Sequence, residues 1–501
     1  MVAAREAFTR RDLLLVALLV AAGLTLRLAL WSGYGLGDDP ILRGQLVALL
    51  RNGYFIPDNQ GYRITWWLPT LVACRLVGLN EIGLIAPITA ASVLTIAVVY
   101  LIGHQLFGRA GAVAAGLLLA VLPFDVAWST TLSSDFVCSL ASAIAIWCAL
   151  RATSHPDVAS RRRAWAGAAV ALVAAYHAKV SGAVLVVPIA AIVWMRRRDL
   201  GRELWSAVAW AGVLGALVLG VYWALSGNPF APLALEIRLQ GLTPEQAPLR
   251  QVTRETFLVF PRWLFLPSPT GDRVYAAYPH LLVAFLLLGW MLRLRTSVEM
   301  VWWLASVFLV MELNVQRIGP YWVAGFRNVR HLHGVAAPLV LALAGYLAAL
   351  RVRWRWVADA TLVVLVGFGL WQAVEVAART RAVFADRRQL VRYLATLPPG
   401  HVYGDVSMHM RWALDMDLVP GWQFTELSGD PAARRGQLGA VTDGYVITGV
   451  GQEPYYGCGS CAVRAAELPA DRFDQLLELP GPAAGPWWRP EPARLWRARA
   501  G

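Results

Sequence analysis

The chain has 501 residues, of which 57% are hydrophobic and only 15% charged, with 23 Trp and a mean hydropathy of +0.51. An apolar share this far above the roughly 45–50% of soluble proteins excludes a water-soluble globular protein and points to an integral membrane protein. The net charge of +13 raises the question of nucleic acid, but the arginines fall in short clusters between apolar runs. That is the pattern of membrane-topology determinants, not of a face that tracks phosphates, so no nucleic-acid partner is expected.

In chain order, the first apolar run, Leu13 to Trp31, follows Arg5, Arg10 and Arg11 and has no small-residue cleavage site after it. It reads as a retained helix rather than a signal peptide. Directly beyond it stands Gly37-Asp38-Asp39-Pro40, an adjacent carboxylate pair at a membrane surface, placed to activate an acceptor hydroxyl or amine or to ligate a metal. The next apolar stretch, Ile64 to Gly78, is short, holds Pro69 and Arg75 and follows Arg63. It reads as a helix lying on the surface, because a crossing here would expel Arg109 and the Arg151 to Arg163 loop from the side on which the other arginine clusters fall.

Spans of the length a bilayer requires, about 20 residues, are expected at Ile82 to Leu106, Ala110 to Trp128, Ser133 to Leu150, Leu204 to Leu225, His280 to Leu292, Val298 to Leu313, Val329 to Leu350 and Trp356 to Val376. The stretch Ala164 to Met195 lies between two arginine triplets, Arg161 to Arg163 and Arg196 to Arg198. Both triplets belong inside, so this stretch must cross twice, reversing near Lys179-Val180-Ser181-Gly182. Lys179 is the only lysine in the chain, and at the outer face it either snorkels to the interface or serves the site.

The sum is a polytopic α-helical membrane protein with about eleven spans. The N-terminus is cytoplasmic, residues 1–376 form the transmembrane domain, and residues 377–501 form a small extracytoplasmic α/β domain whose short apolar runs alternate with Pro and Gly turns. This topology gathers Asp38, Asp39, Asp58 and Asp135 outside with Arg63, Lys179, Arg327 and Arg330. Carboxylates can act as general base or metal ligands, and cations can hold a phosphate leaving group. Cys458 and Cys461, in Gly-Cys-Gly-Ser-Cys, lie on the oxidising side without a second Cys pair and are expected to form a local structural disulfide. Cys74, Cys138 and Cys148 read as packing residues, His331 and His333 as packing at a helix start, and Trp66, Trp67, Trp302 and Trp303 as part of an aromatic belt.

The order of these motifs resembles the GT-C superfamily of polyprenyl-phosphate-sugar-dependent glycosyltransferases. The nearest likeness is to family 39 and its relatives: protein O-mannosyltransferases, the lipid A aminoarabinose transferase and the RgtA/B/C/D-like group. The residues that carry it are Gly37 to Pro40, Leu49 to Phe55, Tyr62-Arg63 through Pro69, Gly78 to Glu81, Gln105 to Arg109, Leu132 to Asp135, His177-Ala178-Lys179 with Gly182, and Arg327 to His331. The family's lysine-proline-proline is here Arg63-Ile64-Thr65, and its late Arg-Tyr is Arg330-His331, so the resemblance leaves sugar and acceptor open.

It implies a GT-C-like membrane enzyme of the cell (plasma or inner) membrane. Such an enzyme moves a sugar from a polyprenyl-phosphate donor to a lipid, glycan or protein acceptor at the outer face by inverting displacement. Asp38 would then be the general base, and Asp39 would orient or bind the acceptor or a divalent metal ion. Asp135 would shape the same pocket, while Arg63, Lys179 and Arg330 would hold the lipid phosphate. The rival class is a polytopic transporter or lipid flippase, whose ionisable groups would sit near the midplane at helix breaks in paired repeats; here they gather at one face.

Overall fold

A computed structural model describes residues 7–31, 45–53, 61–197, 201–231, 234, 278–294, 296–313, 315–318, 321–324, 333–404, 421–428, 430–449, 463–479 and 492–499. Within these, six helices are long and apolar enough to cross a membrane. The first, α1 (Arg10–Ala29), is followed by a short helical segment at 45–52 and by α2 (Ile64–Val77), 14 residues long with Pro69 inside it. The next helix, α3 (Glu81–Ala120), runs as two rods because Gly108 interrupts it with φ 75° and ψ −174°. Only a residue without Cβ takes that conformation at no cost. The rods then fold back closely enough that a Cβ at Gly103 would meet the backbone of Ala112, so the one apolar stretch forms a helical hairpin.

Short α4 (Pro123–Trp128) leads into α5 (Asp135–Ala152), and α6 (Val158–Ala178) returns alongside it. At Lys179 the backbone turns extended, a 3-10 segment spans Val180–Leu185, and α7 (Val186–Met195) runs back. The reversal is tight: a Cβ at Gly182 would come within 2.4 Å of the Ala175 carbonyl carbon. Then come α8 (Leu204–Ser226), α9 (Tyr278–Met291), α10 (Val298–Leu313), an antiparallel hairpin of β1 (Val315–Ile318) and β2 (Tyr321–Ala324), α11 (His333–Arg353) and α12 (Arg355–Leu394).

Side-chain pairs give the bundle two ends. At one, Gln105 donates to Ser154 and Arg196 to Thr153, at 2.9 and 3.3 Å. Arg109 pairs with Asp12, Arg161 with Glu203 and Arg196 with Glu299, each at 2.7 Å. At the other end Trp31 donates to Glu81 at 2.7 Å, and Arg381 donates to the carbonyls of Ala29 and Trp31. The Arg381 contact satisfies carbonyls that the end of α1 leaves open and puts positive charge at its negative pole.

Beyond the bundle, β3 (His401–Gly404), β4 (Gln423–Glu426), β5 (Tyr445–Thr448), β6 (Phe473–Leu479) and β7 (Ala493–Ala498) form a mixed sheet in the order β4-β3-β5-β7-β6. Central β5 is buried along its whole length. Strand alternation sends Tyr445 and Ile447 into a cluster with Leu390 and Leu394 of α12, and Val446 into another with Leu438 of α13 (Pro431–Ala440). Helix α12 therefore runs through the expected boundary at 376–377 without a break, and its last turns form one wall of the sheet's core.

Two of the four tryptophans expected in an aromatic belt belong to the core. Trp66 and Trp303 are 0% and 1% exposed, because helix neighbours cover them, and burial of so large an apolar ring outweighs the interfacial preference. Cys74 and Cys148 are buried free thiols and Cys138 is half-buried. His333 opens α11 in van der Waals packing, with the Phe136, Phe124 and Trp128 rings 4.4, 5.2 and 6.4 Å from its own.

Candidate active site

The connection from α3 to α5 is unusual for a loop. Every residue from Leu118 to Phe136 is buried, whereas connections normally run over the surface because their backbone polar groups need partners. Here the hydroxyls supply some of those partners. Thr89 donates to the Ser129 carbonyl at 2.8 Å, Ser129 to Val126 at 2.8 Å and Thr131 to Trp128 at 2.7 Å. Underneath, Asp125 pairs with Arg27 of α1 and accepts from Ser92 of α3, and Arg27 also donates to Ser92 at 2.8 Å and to the Gly23 carbonyl at 3.0 Å. A buried pair so fully hydrogen-bonded fixes the position of the loop it holds.

That loop delivers Ser133, Ser134 and Asp135 to the start of α5. Ser133 donates to one Asp135 oxygen at 2.8 Å and accepts from the Asp135 backbone N–H. The other Asp135 oxygen receives Lys179 at 2.5 Å, from the reversal after α6. Arg63, just ahead of α2 and 7% exposed, donates to the Ser134 hydroxyl at 2.8 Å. Three residues remote in sequence thus converge on one buried turn, at the end of the bundle opposite the arginine pairs.

Two aromatic residues brace this cluster. Tyr222 of α8 shares a 2.5 Å hydrogen bond with His177 Nδ1, two residues before Lys179, and the Tyr62 ring, beside Arg63, meets Tyr222 edge to face at 4.9 Å. All three are buried.

Of the residues singled out from sequence, Asp135, Lys179 and Arg63 are brought together. Asp38, Asp39, Arg330, Cys458 and Cys461 lie outside the described residues, so the structure gives no geometry for the carboxylate pair, for a metal ion on it, or for the disulfide. Among the described residues no group of three or more His, Cys, Asp or Glu side chains gathers as a metal site. Sequence reasoning missed the Arg27–Asp125 pair and the Tyr222–His177 bond. An arginine inside an apolar span is itself a signal of an internal partner, but which acid answers it is set by the packing of α1 on α3.

Comparison with solved structures shows what this helical bundle is similar to in fold. The structure of ArnT from Cupriavidus metallidurans in the apo state is similar to this chain over 97% of its length and 98% of the other, with a TM-score of 0.61 at 14% identity. The same protein bound to undecaprenyl phosphate matches with a TM-score of 0.58 at 14% identity, over 99% of each chain. The archaeal oligosaccharyltransferase AglB from Archaeoglobus fulgidus, in complex with an inhibitory peptide and a dolichol-phosphate, matches over 90% of this chain and 71% of the other, with a TM-score of 0.52 at 11% identity. Residues 64–223, which contain Asp135, His177, Lys179 and Tyr222, match the family model described as dolichyl-phosphate-mannose-protein mannosyltransferase. The chain thus has the GT-C glycosyltransferase fold, and its segment 64–223 is similar to the mannosyltransferase family. No curated protein matches it by sequence.

Proposed function

We propose that the protein transfers a sugar from a polyprenyl-phosphate carrier to an acceptor at the extracytoplasmic face, by single inverting displacement. The observation that carries this reading is the convergence of Lys179 and Arg63 on the Ser133–Asp135 turn, at the end of the bundle away from the arginine-rich turns. Arginine-rich turns belong to the cytoplasmic side, which supports the opposite, extracytoplasmic face of the cell (plasma or inner) membrane for the charged turn. The likeness to ArnT bound to undecaprenyl phosphate and to AglB with a dolichol-phosphate supports a lipid-phosphate donor.

In the proposed step Asp38 takes the proton of the acceptor as its oxygen or nitrogen attacks the anomeric carbon. The bond from that carbon to the phosphate oxygen breaks, and the lipid phosphate leaves carrying the extra negative charge. Lys179 and Arg63 face that charge from a poorly solvated site, where cations act more strongly than in water, and Arg330 is proposed to assist them. Asp39 holds the acceptor. Burial of the turn keeps water, a competing nucleophile, away from the donor.

The test is reconstitution of the full chain in sealed proteoliposomes with radiolabelled undecaprenyl-phosphate sugars and membrane extract as acceptor. The reading expects release of undecaprenyl phosphate coupled to labelled acceptor. Uptake of label into sealed vesicles without cleavage of the carrier would overturn it in favour of a transporter or lipid flippase.

A further inference from the structure

The cluster around Asp135 has a charge problem. Lys179, the strongest candidate for a phosphate cation, already holds an anion: its ammonium group is 2.5 Å from Asp135, with side chains 14% and 7% exposed. Both carboxylate oxygens of Asp135 are engaged, one by Lys179 and the other by the Ser133 hydroxyl. A carboxylate fixed beside a phosphate subsite repels whatever phosphate enters, and a site built only to bind phosphate would do better without it.

The repulsion has a use because the reaction changes the charge of its lipid. The donor is a phosphodiester with one negative charge. The product is a phosphate monoester, whose second ionisation near pH 6 brings it close to two. A fixed anion penalises a ligand in proportion to the ligand's charge, so Asp135 weakens product binding more than donor binding.

We propose that Asp135 sets the charge of the phosphate subsite, so that the site holds a singly charged lipid phosphodiester and lets go of the doubly charged lipid phosphate formed by transfer. This deepens the function proposed above and rests on it. Asp135 is then a specificity-setting residue for the lipid's charge state, not a proton acceptor.

The experiment measures binding of two sugar-free probes, undecaprenyl phosphate and its monomethyl ester, to the full chain in nanodiscs at pH 8. Removing the charge by Asp135→Asn should tighten both, and the gain for the monoester should be about the square of the gain for the diester: about threefold for the ester implies about tenfold for the phosphate. Asp135→Glu, which keeps the charge, should retain the wild-type preference, and Asp135→Ser serves as the neutral variant if Asp135→Asn does not fold.

Equal changes for the two probes, or weaker binding of both, would show that Asp135 merely orients Lys179 and would overturn the proposal. Lys179→Ala separates this from failure of the underlying reading. If it leaves both affinities unchanged, the turn is not a phosphate subsite at all; if it weakens both, the subsite stands and only the role of Asp135 is in question.

Discussion

The two ends of the bundle use the same chemistry, an aspartate against a cation, to different purposes. At the arginine-rich end Asp12 receives Arg109 through two nitrogens, at 2.7 and 2.8 Å, together with Tyr100 at 3.0 Å and the Thr9 hydroxyl at 2.6 Å. The Arg109 and Tyr100 contacts close the start of α1 onto α3, the Thr9 contact caps α1 itself, and Arg109 is a quarter exposed. At the other end Asp135 stands on a turn buried from Leu118 onward, Lys179 reaches it from the reversal after α6, and Arg63 is added from a third element. An ion pair that seals a surface is a matter of stability. The Asp135–Lys179 pair, with Arg63 bonded to the neighbouring Ser134, is the proposed place for an anionic ligand.

The strongest way to break this comparison is to strike the chemistry assigned to one end alone. Asp38→Asn keeps size and hydrogen bonding but cannot take a proton, and is expected to lower turnover about 10²-fold or more while undecaprenyl phosphate still binds. Single-turnover kinetics alongside lipid binding read the two quantities separately, and near-normal turnover in the folded variant would move the base to Asp39. The mirror experiment is Arg109→Ala, which strands the buried Asp12 carboxylate and should cost about 1–3 kcal/mol of stability, visible as a lower thermal midpoint in detergent. Lipid-phosphate affinity should be unchanged in that variant; a loss would mean that the two ends are coupled.

A finer cut is Tyr222→Phe, which deletes the hydroxyl bonded to His177. It is expected to cost about 1 kcal/mol and to raise KM for the lipid donor with kcat retained, because His177 stands two residues before Lys179. A fall in kcat at constant KM would instead give the hydroxyl a part in the chemistry.

The smallest effect belongs to the sheet domain. Hydrogen bonds from Arg499 hold the Asp474 carboxyl below its ordinary range, and those from Arg494 do the same for Glu478. Groups whose folded pKa is depressed add stability that is present above the unfolded value and is lost as pH falls through the folded one. Sheet unfolding should therefore ease slightly below about pH 4, and Asp474→Asn should flatten that dependence. Both pairs are exposed, so salt should weaken them further.

Much of the membrane architecture was legible because the bilayer imposes it on local sequence. Runs of apolar residues bounded by arginine clusters marked helices that the structure describes, and the paired triplets at Arg161–Arg163 and Arg196–Arg198 were enough to require a reversal near Lys179. The reversal stands there, with Gly182 against Ala175. The site was legible to the extent that charged residues in an apolar chain are conspicuous: Lys179, Arg63 and Asp135 each stood out, and the structure brings the three together.

Composition could not show how such residues are partnered. Arg27 and Asp125 are 98 positions apart and meet only because α1 packs on α3. Trp66 and Trp303 belong to the core and not the belt for the same reason, since a helix face becomes interior only when another helix covers it. Membrane placement is a property of single segments, each partitioning by its own hydrophobicity, and one chain suffices to read it. Pairing between segments depends on which helix faces meet and at what height, and that was decided only when the bundle closed.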